Sequence, residues 1–529
     1  MKHAYVMMGV LLVGCGGRPS VWDDAPSPTR TQVVGLANAV ALVDDVSHRA
    51  VMLLAREDQQ LDRMALPIGK GVIRVEASPD RRRLFVLATG DVPRRSARDE
   101  RPSLTVIDSS ESTPTVKRFD LAAPRSGLAI DPRSRWVAVF AASDVATTFV
   151  ENPNEIVLVD LDSPPTANAV VTTTLRSFGG KPQRLTFAPT LGLPEGPRRL
   201  LVVESDQDVT LLDLDHQHDA VPRPEITVRL TGGGTSKPLH PAAVAFHDGS
   251  PTRSDDARIG IRLTDDTNVI TLELAPSSEG PNDFVPKINL TDVGGVPSDI
   301  GFVSTDGGIR LAALVPSRSS AILVESETSM TTEVKLPAPY RRMSIITDLV
   351  PRDTPTDVAL LWNATSTASG VAFWALGKTA GQPYRSVEVL NLGSSITNVR
   401  DVPPPRPELK VLETGARGLF VLDLAARTAA PLTTLGTATV TIAPDAERMW
   451  AFQPGESRLS AVDLQKLHPM PVVIDRDVSS VHDVARSDGG RSLVAIHARG
   501  AYGATVFDAR SPDTAYSRLY SGLLLEGLQ

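Results

Sequence analysis

Cysteine is almost absent from this chain of 529 residues, because the only one is Cys15. A single cysteine excludes an internal disulfide, so the folded chain has to be stabilised by packing alone. Positive charge is also scarce: 54 basic residues stand against 62 acidic ones, and the net charge is −8. The charges are mixed along the chain without a polybasic arm. This balance argues against a nucleic-acid partner, whose phosphates require a basic surface.

Long helical patterns and common catalytic motifs are missing as well. After residues 1–15 we find no amphipathic run of about 12 residues or more, which argues against a helical fold. Aromatic residues make up only 5% of the chain, so valine, leucine, isoleucine and alanine have to fill the core. There is no Gly-x-Ser-x-Gly elbow, no Gly-Lys-Ser or Gly-Lys-Thr phosphate loop and no Cys-x-x-Cys-His haem sequence. The sequence therefore predicts no catalytic residue and no cofactor.

A repeated pattern of short apolar segments takes the place of helices. In residues 70–121, the turn Ser78-Pro79-Asp80 is followed by apolar segments at 84–88, 104–108 and 116–121. β-Branched and aromatic runs between such turns are typical of strands. The third segment of each repeat ends in a marker residue, and the markers recur roughly 40 to 60 residues apart. The markers are Asp108, Asp160, Asp213, Asp423, Asp463 and Asp508, with weaker copies at Glu273 and Glu325 and degenerate ones near Ala55 and Ala375.

This spacing predicts an all-β fold built from ten units of four antiparallel strands. A four-stranded sheet cannot bury both of its faces alone, so the units have to stack face to face around an axis, as the blades of a β-propeller do. Ten exceeds the usual four to eight blades, which leaves one large ring or two abutting rings as alternatives. The expected units span about 31–69, 70–121, 122–178, 179–231, 232–291, 292–338, 339–393, 394–436, 437–476 and 477–529.

The unit at 74–121 resembles the YVTN-type β-propeller repeat, a relative of the WD repeat. The matching residues are Ser78-Pro79-Asp80, Arg83-Leu84-Phe85-Val86 and Val106-Ile107-Asp108, with further matches at 443–452 and 487–496. Arg81 stands where the family usually has glycine, and Leu87-Ala88 replaces Thr-Asn. The resemblance covers about residues 32–529 and implies a propeller fold. Repeats of this kind specify no activity, so no catalytic residue is implied.

The two ends of the repeat region suggest how the ring closes. The first unit contains strand-like segments at 39–43 and 50–54 but lacks, on this count, a first strand of its own. The segment 521–525 near the C-terminus resembles the first-strand segment 126–130. We therefore expect the C-terminal segment to complete the first blade, which would remove exposed sheet edges.

The N-terminus has the pattern of a processing segment. Residues 1–14 combine a short basic start with an apolar stretch too short to cross a bilayer, which takes about 20 residues. The sequence Leu12-Val13-Gly14-Cys15 resembles the bacterial lipobox, and this implies a lipidated Cys15 carrying acyl chains such as palmitate. Gly16 follows in place of aspartate, which by the same resemblance implies the outer membrane, on its periplasmic or surface face. Residues 15–30 are expected to form a flexible tether, and residues 31–529 the propeller domain.

One cluster in the sequence has the composition of a metal site. Asp213, Asp215, His216 and His218 bring two histidines and two acids close together, with Asp219 beside them. The alternative interpretation, which we favour, is a solvated turn on the outer rim and no metal. His240 and His247 have no second ligand at a suitable spacing. The marker aspartates recur at equivalent places and are therefore expected to be turn residues.

Two classes of function fit these observations. The first is a lipid-anchored cell-envelope propeller that binds a protein or glycan partner, or acts as a scaffold, through the loops at one end of the ring. The second is a propeller enzyme, lactonase-like or an oxidoreductase, with its site at the central channel. An enzyme requires several polar side chains to converge at the axis, and we favour the binding or scaffold role. The candidates for such convergence are Arg74, Glu76, Arg184, His240, Asp299 and His482.

Overall fold

Each repeat of the sequence forms one four-stranded antiparallel sheet in a computed structural model of the chain. The structure describes residues 31–525 except 177–180, 194–195, 220–222, 224, 232–237, 250–256, 279–281, 306–307, 347–357, 364–369, 377, 380–381, 384–385, 416–417, 433–437, 500–501 and 513–515. Within this part of the chain there are ten such sheets, which form the blades of one ring. The predicted all-β propeller of ten units is confirmed, and the alternative of two abutting rings is set aside.

Blades 1 to 5 lie in the first half of the chain, with a short hairpin inserted after the first strand of blade 4. Their strands are β1 (Thr31–Gly35), β2 (Ala39–Asp44), β3 (Arg49–Ala55) and β4 (Leu61–Pro67); β5 (Val72–Ala77), β6 (Arg83–Ala88), β7 (Ser103–Asp108) and β8 (Thr115–Asp120); β9 (Gly127–Ile130), β10 (Trp136–Phe140), β11 (Glu155–Asp160) and β12 (Val170–Thr174); β13 (Arg184–Phe187), the hairpin β14 (Leu191–Leu193) and β15 (Gly196–Arg198), β16 (Leu200–Glu204), β17 (Asp208–Asp213) and β18 (Ile226–Arg229); and β19 (Pro241–His247), β20 (Arg258–Leu263), β21 (Asn268–Pro276) and β22 (Phe284–Asp292).

Blades 6 to 10 follow, with a second inserted hairpin before the last strand of blade 7. Their strands are β23 (Asp299–Thr305), β24 (Gly308–Val315), β25 (Ser320–Val324) and β26 (Thr331–Lys335); β27 (Arg342–Ile346), β28 (Val358–Trp362), β29 (Gly370–Ala375), the hairpin β30 (Lys378–Thr379) and β31 (Gln382–Pro383), and β32 (Val387–Asn391); β33 (Ile396–Asp401), β34 (Leu409–Thr414), β35 (Gly418–Asp423) and β36 (Thr428–Leu432); β37 (Thr439–Ile442), β38 (Arg448–Phe452), β39 (Arg458–Asp463) and β40 (His468–Val473); and β41 (Ser480–Ala485), β42 (Arg491–His497), β43 (Gly503–Asp508) and β44 (Arg518–Ser521).

In the part of the chain that the structure describes, helical structure is limited to short 3₁₀ turns, among them Glu57–Gln59, Ala167–Ala169, Pro316–Arg318 and Leu523–Leu525. Among the described residues, no helix combines the length and the apolar character that crossing a bilayer requires.

The marker aspartates end the third strand of their blades and start the following turn. Asp463 is an example, because its Oδ1 accepts the backbone N–H groups of Gln465 and Lys466 at 2.8 and 3.0 Å. Asp423 and Asp508 accept two backbone N–H groups each in the same way. A carboxylate that binds the backbone two and three residues later stabilises a tight turn. The interpretation of the repeated aspartates as turn residues is thereby confirmed.

The core lies between the blades. The second strand β2 and the third strand β3 of blade 1 are buried along their whole length. Such strands are continuous apolar runs because a neighbouring blade covers each face of the sheet. Within the described residues the buried apolar side chains form ten clusters, each shared by two adjacent blades. One of these clusters joins blade 10 to blade 1, so the ring is closed by packing.

The expected strand exchange between the chain ends is wrong. Blade 1 has its own first strand β1, which pairs with β2 from Thr31 opposite Asp44 to Gly35 opposite Val40. The C-terminal strand β44 pairs with β43 inside blade 10. The segment Thr-Gln-Val-Val-Gly of β1 is a short β-branched run before a turn, which is itself a strand signal. The count of strands overlooked it because it directly follows a Pro- and Ser-rich stretch of the sequence.

Side chains, rather than an exchanged strand, hold the last residues against blade 1. Leu523 and Leu524 are fully buried in the cluster between blades 10 and 1. The guanidinium of Arg49 in blade 1 donates a hydrogen bond to the carbonyl oxygen of Leu524. The Tyr520 hydroxyl donates to the carbonyl oxygen of Gln59 at 3.1 Å. The closing interface, defined as this contact between blades 10 and 1, therefore depends on the segment after the last strand.

The first strands of the blades surround the axis, because first strands of adjacent blades contact one another. They run in the same direction, so the ring has two distinct ends. We call the end at which each first strand finishes and turns into the second strand the turn end. At this end, the N–H of Ala485 donates to the carbonyl oxygen of Ala37 across the closing interface at 2.8 Å. At the entry end, each first strand begins; there the N–H of Met343 in blade 7 donates to Asp299 of blade 6 at 2.9 Å.

Candidate functional site

A cavity of about 880 Å³ lies at the axis and includes the turn end of the first strands in blades 1, 2 and 8. First strands and the turns that follow them in blades 8, 9, 10, 1 and 2 line it, which is half of the ring. We call it the axial cavity. Its apolar wall includes Ala37, Ala77, Ile442, Pro444 and Val481, and its polar side chains include Asp80, Arg81, Arg400, Asp401 and His482.

His482 is the titratable group packed most tightly into the wall of this cavity. Its ring lies directly against Gly35 of blade 1, where any Cβ would overlap the imidazole, so glycine is required at that position. Its Nε2 lies 2.9 Å from the Ser480 hydroxyl. Burial, together with the charge of Arg81, lowers the pKa of His482 to about 4. The imidazole is therefore neutral near pH 7 and offers hydrogen bonding without charge.

Arg81 supplies a positive charge on the same wall. Its backbone has a φ of 56°, the left-handed region that favours glycine, and its carbonyl accepts the N–H of Ala37 at 2.7 Å. The other arginine of the wall, Arg400, is paired with Glu413. Among the described residues, the Arg81 guanidinium has no hydrogen-bond partner and no carboxylate within ion-pair distance. Arg81 is therefore available to a ligand in the axial cavity.

The metal-like cluster of the sequence is divided into separate ion pairs. His216 Nδ1 lies 2.8 Å from Asp213, whereas His218 Nε2 lies 2.9 Å from Asp160 of blade 3. Asp215 accepts the backbone N–H of Arg199 at 2.9 Å and also binds its guanidinium. The described residues contain no group of three or more His, Cys, Asp or Glu side chains arranged to hold a metal ion.

One of these pairs, His218 with Asp160, joins blade 4 to blade 3. The ring of His218 stacks on Trp136 of blade 3, with 5.4 Å between ring centroids. Arg135 of blade 3 lies near Asp160 as well, at 4.0 Å. The two imidazoles thus bind different carboxylates on different blades.

The six candidates for an enzyme site are not brought together in one group. Arg184 and Asp299 share Arg262 as an electrostatic neighbour. Arg74 binds Asp144 at 2.8 Å and lies near Glu76. His482 lies in the axial cavity, and His240 lies 2.6 Å from a backbone carbonyl oxygen. No hydrogen bond or ion pair among the described residues joins three of the six.

The sequence analysis did not single out Arg81 or Arg342 as candidate site residues. Arg81 was visible as a departure from the family pattern, but its cavity depends on contacts between blades 1 and 2. Arg342 begins the first strand of blade 7, as Asp299 does in blade 6. An alignment of the repeats by strand start would have placed these two side chains at the same end of the ring. Cys15 lies outside the described residues, so its lipidation stays a prediction.

Comparisons with known proteins found matches among solved structures only, at low identity. No family model and no curated protein matches the chain. A structure described as dihydro-heme d1 dehydrogenase NirN in complex with DHE is 13% identical, with a TM-score of 0.40 over 78% of this chain and 74% of that chain. Apo AztD from Citrobacter koseri is 11% identical, with a TM-score of 0.34 over 76% and 96%. A eukaryotic initiation factor is 9% identical, with a TM-score of 0.43 over 93% and 96%. These TM-scores are below 0.5, so the assignment of the chain as a ten-bladed β-propeller rests on its own ten four-stranded sheets.

Proposed function

We propose that this propeller is a cell-envelope protein that binds a protein or glycan partner in the axial cavity and does not transform it. The observation that carries the proposal is the axial cavity itself, with its free Arg81 beside neutral His482. Its volume of about 880 Å³ matches that of ligand sites in general, which measure about 300–1,000 Å³. Five blades contribute to the wall, so the surface offered to a partner is broad.

The chemistry of the wall selects an acidic group on that partner. The Arg81 guanidinium can bind a carboxylate through two parallel hydrogen bonds, and the imidazole of His482 beside it is neutral and adds no second charge. The apolar wall near Ile442 and Val481 accommodates the rest of the partner. The Ser480 hydroxyl lies within hydrogen-bond distance of His482 Nε2, but the Nδ1 side of the ring faces Gly35, and among the described residues no carboxylate orients the imidazole as a base, which favours binding over catalysis.

We also propose that the ring is held at the outer membrane by lipid on Cys15. The support is the lipobox-like sequence at 12–15. We propose in addition that the blades are related to YVTN-type repeats, on the basis of their resemblance in sequence. Two or more acyl chains are needed for stable attachment. A flexible tether of about 15 residues has a root-mean-square span of about 20 Å, so the ring would stay close to the membrane.

Replacing Cys15 by serine should abolish labelling by a palmitate analogue and release the protein from membranes; labelling of the serine variant would contradict the anchor.

The binding proposal can be tested by photocrosslinking in intact cells. A benzoylphenylalanine residue at Thr439, an exposed position of the axial cavity, should give a discrete crosslinked product. The same residue at Thr172, exposed on the outermost strand β12, serves as the control and should give none. Arg81→Gln should reduce the product from position 439 about tenfold, since a charged hydrogen bond is lost.

A matched variant separates a specific contact from a general effect of charge. Arg82→Gln removes the same charge at the next residue, which is exposed and does not line the cavity, and it should leave crosslinking unchanged. Equal products from positions 439 and 172, or a product from 439 that does not depend on Arg81, would show that the axial cavity is not the binding site.

A further inference from the structure

A second group of charged side chains lies at the entry end of the axis, on the four consecutive blades 4 to 7. Arg184, Asp299 and Arg342 are each the first residue of the first strand of their blade. Glu204 lies opposite Arg184 in the strand register of blade 4, and Arg262 lies near the end of the second strand of blade 5. Arg262 is the common electrostatic neighbour of the other four. We call these five residues the arginine arc.

The charges of the arginine arc are only partly balanced by the described residues. Among the described residues, Arg184, Arg262 and Arg342 have no carboxylate oxygen within ion-pair distance, although Arg262 is partly buried. Glu204 is only 1% exposed, and its Oε1 has no hydrogen-bond partner. Burial raises the pKa of both Glu204 and Asp299, in spite of the nearby arginines. Three guanidinium groups thus face two carboxyl groups that burial disfavours as anions, and the arc has an excess of positive charge.

A cavity of about 380 Å³ adjoins the arc and extends it into blade 8. Asp299 and Arg342 line it together with Trp362, Thr397 and Asn398. Trp362 is the register partner of Arg342 across blade 7, and both residues line the cavity. An aromatic ring that offers an apolar face, next to amide, hydroxyl and carboxyl groups, is suited to the C–H face and the hydroxyls of a sugar ring.

We propose that the arginine arc and this cavity form one binding site for a saccharide that carries an oxyanion, either a carboxylate or a phosphate. Arg262 and Arg342 bind the oxyanion, because their guanidinium groups match its geometry. Asp299 and Asn398 hydrogen-bond the sugar hydroxyls, and Trp362 packs against the ring. The site is distinct from the axial cavity, because the two share only blade 8, which contributes different residues to each, and none of the three arginines of the arc lines the axial cavity.

Calorimetric titration of the detergent-solubilised full chain tests this site. The probes are trigalacturonate and mannose 6-phosphate as the two oxyanion sources, with maltotriose, mannose and inorganic phosphate as comparisons. At least one charged saccharide should bind, and the neutral sugars should not. Arg342→Gln and Arg262→Gln should each weaken that binding at least about tenfold, as expected for loss of a charge-assisted hydrogen bond. The preference between uronate and phosphate identifies the source of the oxyanion.

Matched variants keep the test decisive. Arg341→Gln removes an equal charge from the adjacent exposed residue, which does not line the cavity, and should change the affinity less than twofold. Arg81→Gln should also leave it unchanged, which separates this site from the axial cavity. Arg342 is exposed, so its variant remains informative if Arg262→Gln fails to fold. The proposal is overturned if no charged saccharide binds, if neutral sugars bind equally well, or if inorganic phosphate binds as tightly as the charged sugars.

Discussion

Replacing Leu523 and Leu524 together by alanine should lower the free energy of unfolding by about 4 to 10 kcal/mol. Both side chains are fully buried in the closing interface, and each buried leucine-to-alanine change costs about 2 to 5 kcal/mol through lost burial and the cavity left behind. The total stability of a folded protein is typically about 5 to 15 kcal/mol. The double variant should therefore unfold at a much lower urea concentration, followed by tryptophan fluorescence.

The neighbouring leucines provide the control. Leu519 and Leu525 are 50% and 56% exposed, so replacing both by alanine removes the same number of carbon atoms and should leave the urea midpoint nearly unchanged. If the two double variants behaved alike, the tail would not hold blade 10 against blade 1. This comparison also distinguishes closure by packing from the exchanged strand that the sequence suggested, because an exchanged strand would bury alternating residues throughout the segment.

We expect His482 to cost the wild-type protein about 2 to 3 kcal/mol of its free energy of unfolding when the pH falls from 7 to 4.5. Replacing His482 by glutamine should remove this part of the pH dependence. The folded pKa of about 4 lies below the unfolded value of about 6.5, so folding favours the neutral imidazole. The stabilisation is complete above pH 6.5 and is lost as the pH falls towards 4, since the unfolded chain then binds a proton that the folded chain excludes. Each pKa unit corresponds to about 1.4 kcal/mol.

Urea unfolding of both proteins at the two pH values measures this effect. The exposed His468, replaced by glutamine, serves as the control and should keep the pH dependence of the wild type. A His482→Gln variant with an unchanged pH dependence would mean that the imidazole is not held neutral against Gly35. A protonated imidazole would also place a second positive charge beside Arg81, so the same group links acidification to the shape and charge of the axial cavity.

The expected strands and units of the sequence agree closely with the blades. Nine of the ten expected units contain all strands of one blade. The remaining unit, 232–291, is one residue too short, because β22 continues to Asp292. This agreement has a local cause: turn residues such as Asp463, which binds the following backbone, stand at the same place in most repeats. A pattern made of neighbouring residues can be recognised without knowledge of the rest of the molecule.

The sites are different, because they are made of residues from several blades. The cluster at 213–219 looked like a metal site since His216 and His218 are close in sequence, yet they bind carboxylates on different blades. Arg81 and His482 are 401 positions apart by their numbers (482 − 81) and meet only because the ring is closed. Arg262 and Arg342 come together through the packing of blades 5, 6 and 7.

The amino-acid sequence by itself determined the kind of protein this is: short apolar strands between aspartate and proline turns can be stable only when each sheet packs against a neighbour. The number of blades follows from counting the repeats. The closed circle, the way in which Leu523 and Leu524 close it, and the charged groups at the two ends of the axis were decided by the tertiary structure. The physical reason is that strand and turn preferences act over a few residues, whereas burial and charge depend on which blades become neighbours.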